Sequence, residues 1–88
     1  MQHASHPNVL KRIKRAYGHL AFVIEMIESQ RPCADLAQQL HAVEKAIVNA
    51  KRVLIHDHIE HCLGDGLSDG KLTAASALIE FKQLSKYL

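Results

Sequence analysis

From Cys33 to Leu63 the chain contains neither Gly nor Pro, and within that stretch Leu36, Leu40, Val43, Ile47, Ala50 and Leu54 recur at spacings of four, three, four, three and four. Residues three and four apart stack on one helical face, so this spacing is the apolar seam of an amphipathic helix. At 1.5 Å per residue that helix spans roughly 45 Å. Before it, Leu10, Ile13, Tyr17, Leu20, Ile24 and Ile27 follow the same rhythm and predict a helix of about 22 residues ending near Ser29. Gln30, Arg31 and Pro32 interrupt the pattern, and Pro32 suits the first turn of the next helix, where its missing N–H has no partner to lose. The run Gly64 to Gly70 predicts a turn, after which Thr73 is placed to cap a short final helix through Leu88. No strand-like alternation or internal repeat is present. The expected fold is all-α, a three-helix protomer of long, longer and short helices. Because the first helix is too short to cover the second, a further copy of the chain is expected to cover the remainder.

Size points the same way. The chain of 88 residues allows one domain, expected over residues 8–88, behind a flexible arm of residues 1–7 that carries His3 and His6. A domain this small buries only about 60–65% of its unfolded surface and needs a supplement to its core. A content of 48% hydrophobic and 23% charged residues argues against disorder. The formal charge of +2 is too small to name an anionic partner. No apolar run approaches the ~18 residues of a membrane span, and the first ten residues lack the apolar stretch of a secretory signal, so the expected compartment is the cytoplasm.

Seven His and two Cys are the compositional anomaly, since imidazole and thiolate are borderline and soft metal donors. His58 and Cys62 are four apart and share a helical face. On an ideal helix with Cys33 at zero, His58 falls at about 340° and Cys62 at about 20°, yet Cys33 is about 37 Å from His58 along the axis. One chain cannot close a site around a single ion. Two such helices packed antiparallel bring Cys33 of one copy beside His58 and Cys62 of the other, giving two equivalent sites across a twofold axis. Two thiolates and an imidazole suit Cu(I); with further donors the set suits Ni(II), Co(II) or Zn(II). His3, His6, the terminal amine and His61 are candidates for the added ligands. His19, His41 and His56 read as surface or packing residues, and Cys33 as an ordinary small hydrophobe is the plain alternative.

Lys11, Arg12, Lys14 and Arg15 place four cations in five residues of the first helix, and Lys45, Lys51 and Arg52 form a second group. They are candidate phosphate contacts, the alternative being a solvated helix face. No helix-turn-helix, zinc finger or basic zipper signature is present.

The chain resembles the bacterial CsoR, RcnR and FrmR family of metal- and formaldehyde-sensing repressors. The likeness runs over nearly its whole length and is strongest in Arg12 to Leu20, in Met26-Ile27-Glu28-Ser29, and in Cys33 with Gln39, Ala42-Val43 and the run from Arg52 to Cys62. The resemblance implies that Cys33, His58 and Cys62 are metal ligands and that Glu80 stands behind them. It implies antiparallel dimers assembled into a dimer-of-dimers tetramer of four-helix bundles, and operator DNA bound without metal and released with it. Arg12 matches a DNA-contacting position of the family, and Lys51 and Arg52 lie in its second basic patch. Pro32 stands where the copper repressors have Tyr. The arm with His3 and His6 looks like that of the nickel and cobalt branch. Gln2 replaces the Pro that formaldehyde sensors carry after Met1, and His58 is absent from persulfide-sensing relatives.

The expectation is therefore a transcriptional repressor with a transition-metal effector, operator DNA and copies of itself as partners, and neither membrane nor small-molecule substrate. The alternatives are a zinc-stapled helical interaction module and a dithiol, persulfide or formaldehyde sensor of the same family. An enzyme built on Cys33 and His58 lacks any nameable oxyanion donor or acidic partner.

Overall fold

The computed structural model describes residues 5–88. Four α-helices follow in order, α1 (His6–Glu28), α2 (Cys33–Asp57), α3 (Asp65–Ser68) and α4 (Ala74–Ser85), with a π-helical segment, His58–Gly64, between α2 and α3. Among the described residues there is no strand. Three long helices and one short turn of helix match the all-α expectation. The described residues separate into two compact units, one of residues 7–51 and one that contains residues 52–88 together with Ser5 and His6.

In the first unit α1 and the beginning of α2 form an antiparallel hairpin: His19 meets Gln39, while Arg12 and Arg15 share a cleft with Ala46 and Asn49. The reversal is set by local chemistry. Gln30 takes a positive φ of 59°, Arg31 N–H donates to the Met26 carbonyl at 3.0 Å and Gln30 N–H to that of Ile27 at 3.1 Å. This is the Schellman termination, and the Pro32 that follows cannot prolong α1. The Pro32 carbonyl then accepts from Asp35 and Leu36 N–H, which opens α2 where the sequence places its start.

The hairpin interior is made by Ala16, Val23 and Met26 of α1 and Val43 and Ala50 of α2. The stripe that the sequence singles out on α1 is not this interior. Leu10, Ile13, Tyr17, Leu20, Ile24 and Ile27 are all exposed, Tyr17 at 77%. The buried line runs about 100° around the axis from that stripe. Large side chains dominate any hydrophobic pattern, whereas the face turned to α2 is partly built from Ala, which lets two backbones approach.

In the second unit the expected uninterrupted helix to Leu63 is corrected: α2 ends at Asp57 and a π-helical turn follows. Ile55 and Leu63, the buried pair here, are eight residues apart and would sit about 80° apart on an unbroken α-helix. A wider i→i+5 turn takes up most of one residue and brings both onto the buried face. The turn expected over Gly64 to Gly70 is corrected as well, because it contains α3. That helix closes by the same Schellman pattern at Gly70, φ 72°, with Lys71 N–H reaching the Gly66 carbonyl at 2.9 Å. A Cβ at Gly66 would stand 2.7 Å from Leu72 Cδ1, so a side chain at this crossing would require the Leu72 side chain to move. Thr73 caps α4 as expected, its Oγ1 accepting from Ser76 N–H at 3.1 Å. The helix ends at Ser85, three residues short of the expected end, and Ala77 buries its inner face. At the other end, α1 begins at His6, so His6 and Pro7 are helical residues of the expected arm. Among the described residues no helix is long and apolar enough to cross a membrane.

Candidate metal centre

The π-helical turn begins on His58, the first of the two ligands predicted near its start, and carries Cys62 on its next turn. Both line one cavity of about 330 Å³, together with His61, Asp65, Asp69, Lys71 and Glu80. Of the predicted ligands Cys33, His58 and Cys62, the cavity brings together His58 and Cys62, with Glu80, which the family resemblance implies behind them. The imidazole is half-buried and its Nε2–H donates to Glu80 Oε1 on α4. That bond orients the ring, as a hydrogen bond from one imidazole nitrogen does for a histidine ligand.

Cys62 is partly buried. Burial pushes its thiol above the ordinary value, and the carboxylates of Asp57, Glu80 and Asp65 push it the same way. The thiol is therefore a stored proton that any metal must displace. The acidic surroundings offset this by attracting a cation. His61 stands in the same field, 3.7 Å from Asp57 Oδ1, 3.8 Å from Glu60 Oε2 and 3.9 Å from Asp65 Oδ2. Asp57 also accepts from Ser5 Oγ at 2.8 Å, which ties the start of the chain to the residue preceding His58. Sequence reasoning passed over Asp57 and Asp65, although the Asp57, His61, Asp65 spacing of four and four was there to be read.

Cys33 is exposed at the first residue of α2 and belongs to the other unit. Cys33 and Cys62 are not joined by a disulfide. Among the described residues no three His, Cys, Asp or Glu side chains converge as a metal site. His6 is exposed on α1, and His3 lies outside the described residues. Of the predicted DNA contacts, Lys11, Arg12, Lys14 and Arg15 are exposed on α1, and Lys45, Lys51 and Arg52 on α2.

An all-α chain whose imidazole and thiol share one acidic cavity, and whose first helix opens with four clustered cations, has the architecture of a helical metal-sensing regulator. The chain belongs to the metal-sensitive transcriptional repressor family, whose model matches residues 5–86. It is 42% identical over 66 residues to the copper-sensing transcriptional repressor CsoR of Mycobacterium ulcerans (strain Agy99), a match covering 75% of this chain and 56% of the relative. The chain thus spans little more than half the length of that relative. With CsoR of Bacillus subtilis (strain 168) the identity is 32% over 80 residues, covering 89% of this chain and 79% of the relative. Among solved structures it is similar to the nickel-responsive transcriptional regulator InrS, with a TM-score of 0.82, 26% identity, and coverage of 100% of this chain and 98% of that one. The relatives include sensors of two different metals.

Proposed function

We propose that the chain is a repressor that holds operator DNA in the metal-free state and releases it when a transition-metal ion binds between two copies, Cys33 from one and His58 and Cys62 from the other. The observation that carries this reading is the His58–Cys62 pair on one cavity wall with the imidazole already held by Glu80. Two donors converge within the chain and a third, Cys33, is exposed at a helix start. The exposed stripe of α1 is the surface a second copy would cover, in an antiparallel dimer and a tetramer built from two dimers.

The donors fit a soft ion: two thiolates and one imidazole for Cu(I), with nitrogen from His3, His6 or His61 for Ni(II) or Co(II), and Zn(II) as a further occupant. When bound, the ion supplies a link between the sulfur of one copy and the imidazole and sulfur of its mate. The chain's own residues do the rest. Glu80 holds the Nε2 proton of His58 and so connects the π-helical turn to α4. The thiols of Cys33 and Cys62 give up their protons. Lys11, Arg12, Lys14, Arg15, Lys45, Lys51 and Arg52 neutralise DNA phosphates. The coupling is linkage: an ion that prefers the DNA-incompetent arrangement weakens DNA binding by the same free energy, typically ~1–3 kcal/mol. The genes released from repression would be those of metal efflux or homeostasis, in the cytoplasm.

X-ray absorption spectroscopy on chain loaded with each ion, combined with fluorescence anisotropy of labelled operator, tests the reading. Two sulfurs and one or more nitrogens, with ion-driven release of DNA, are expected. A chain that unfolds on chelation and ignores DNA would instead be a zinc-stapled interaction module.

A further inference from the structure

Asp57 is a nearly buried carboxylate that the function proposed above leaves unused. Its side chain is 12% exposed, far less than Glu80 at 38% or Asp65 at 67%. Withdrawing a carboxylate from water is unfavourable unless hydrogen bonds replace its hydration. Ser5 supplies one: its Oγ–H donates to Asp57 Oδ2 at 2.8 Å, across 52 positions of sequence. The other oxygen, Oδ1, stands 3.7 Å from His61 Nε2, too far for a hydrogen bond. Both partners sit at junctions. Ser5 immediately precedes His6, the first residue of α1, and Asp57 ends α2 and precedes His58, where the π-helical turn starts. They belong to the same compact unit, which α1 leaves at Pro7. One hydroxyl proton therefore joins the entry of the helix that carries Lys11, Arg12, Lys14 and Arg15 to the entry of the turn that carries His58 and Cys62. Asp57 keeps α-geometry, with φ −62° and ψ −43°, so α2 aims its carboxylate while a single peptide bond ties it to His58.

We propose that Ser5 and Asp57 are positioning residues that form an interlock: the Asp57 carboxylate holds the first turn of α1 and relays movement of the His58 turn to it. The inference rests on the metal-responsive reading above and adds a second route out of the site, separate from the His58–Glu80 bond to α4. A helix start is where a single contact has most effect, because its leading N–H groups have no partner within the helix and its end opens at little free-energy cost. A rotation of His58 carries Asp57 with it, and a hydrogen bond weakens steeply as its angle falls. The contact is thus kept in one arrangement of the turn and lost in another.

The test uses the full chain. Hydrogen exchange is read at the amides of Leu10 and Lys11, which in α-helical geometry donate to the carbonyls of His6 and Pro7. Ser5→Ala is expected to speed their exchange about fivefold, the worth of one partly exposed bond to a carboxylate. Ser5→Thr keeps the hydroxyl and is expected to stay near wild type. Because Ser also caps helices in its own right, a double-variant cycle with Asp57→Ala separates the two roles. The interlock requires Ser5→Ala to have little further effect once the carboxylate is gone, whereas capping alone gives independent losses. Asp57→Asn repeats the cycle with the side-chain shape kept. The relay is read by adding Cu(I) or Ni(II), each alone. Exchange at Leu10 and Lys11 is expected to change in wild type and in Ser5→Thr but not in Ser5→Ala, whose ion-induced loss of operator affinity is also several-fold smaller. Independent losses in the cycle, or a wild-type ion response in Ser5→Ala, overturn the interlock while metal-responsive release stands. Failure of the wild-type chain to bind either ion, or to release operator on binding it, overturns the metal-responsive reading and the relay built on it.

Discussion

Glu80→Ala isolates the contact between His58 and α4. The bond joins an imidazole N–H to a carboxylate, and such charge-assisted bonds contribute about 1.5–3 kcal/mol when shielded. Here the side chains are 23% and 38% exposed, so solvent removes roughly half of that and leaves about 1 kcal/mol. The bond matters for regulation only through its difference between states. An ion held by the imidazole in the proposed site would draw electron density from the ring and strengthen the bond, so most of its worth would belong to the metal-bound form. Glu80→Ala should therefore cut the ion-induced loss of DNA affinity by about fivefold, the factor that ~1 kcal/mol represents, while metal-free DNA binding stays near wild type. Glu80→Gln keeps an acceptor for the imidazole proton and should retain part of the coupling. The assay is fluorescence anisotropy of labelled operator with and without saturating ion at one salt concentration. An unchanged ion-induced factor in Glu80→Ala would show that His58 does not signal through α4.

The remaining predictions concern the ligands and the fold. Because Cys33 is exposed, Cys33→Ala should cost no packing, keep metal-free DNA binding and abolish ion-driven release. Mixing it with Cys62→Ala should restore one complete site per mixed dimer, measured as recovered ion binding, and no recovery on mixing would exclude a shared site. The folded chain holds the Cys62 proton more tightly than the unfolded chain, so this contribution to stability is present below the ordinary thiol range and is lost as pH rises through the raised value. Urea midpoints measured from neutral to alkaline pH in wild type and Cys62→Ala should diverge in that window. Ion affinity should fall in acid, about tenfold per pH unit for each proton displaced, in a competition titration. Thr73→Ala removes the α4 cap and should lower stability by about 1 kcal/mol in urea melts while leaving the salt dependence of DNA binding unchanged.

Punctuation made the fold legible and wide helices made it misleading. Pro32 and Thr73 mark helix starts because each acts through its own backbone and immediate neighbours, and the structure keeps both positions. The π-helical turn at His58 was not legible, because every spacing argument assumes a fixed angle per residue. That angle changes where burying both Ile55 and Leu63 outweighs regular α-geometry. The same limit applies to the site. A separation of four residues was enough to pair His58 with Cys62. The contact between His58 and Glu80 spans 22 positions and depends on how α3 and the Gly66–Leu72 crossing turn the chain back, which no local pattern encodes. The two faces of α1 carry the deepest lesson. Hydrophobic periodicity reports where apolar mass lies, not which neighbour it meets, and here the heavy stripe is exposed while an Ala-containing line closes on α2. In this helix one face is used by its own hairpin and a second apolar face is left uncovered. Exposing six large side chains at once is costly for a small domain. A second copy on that stripe would remove the cost and supply the sulfur that the His58–Cys62 pair lacks.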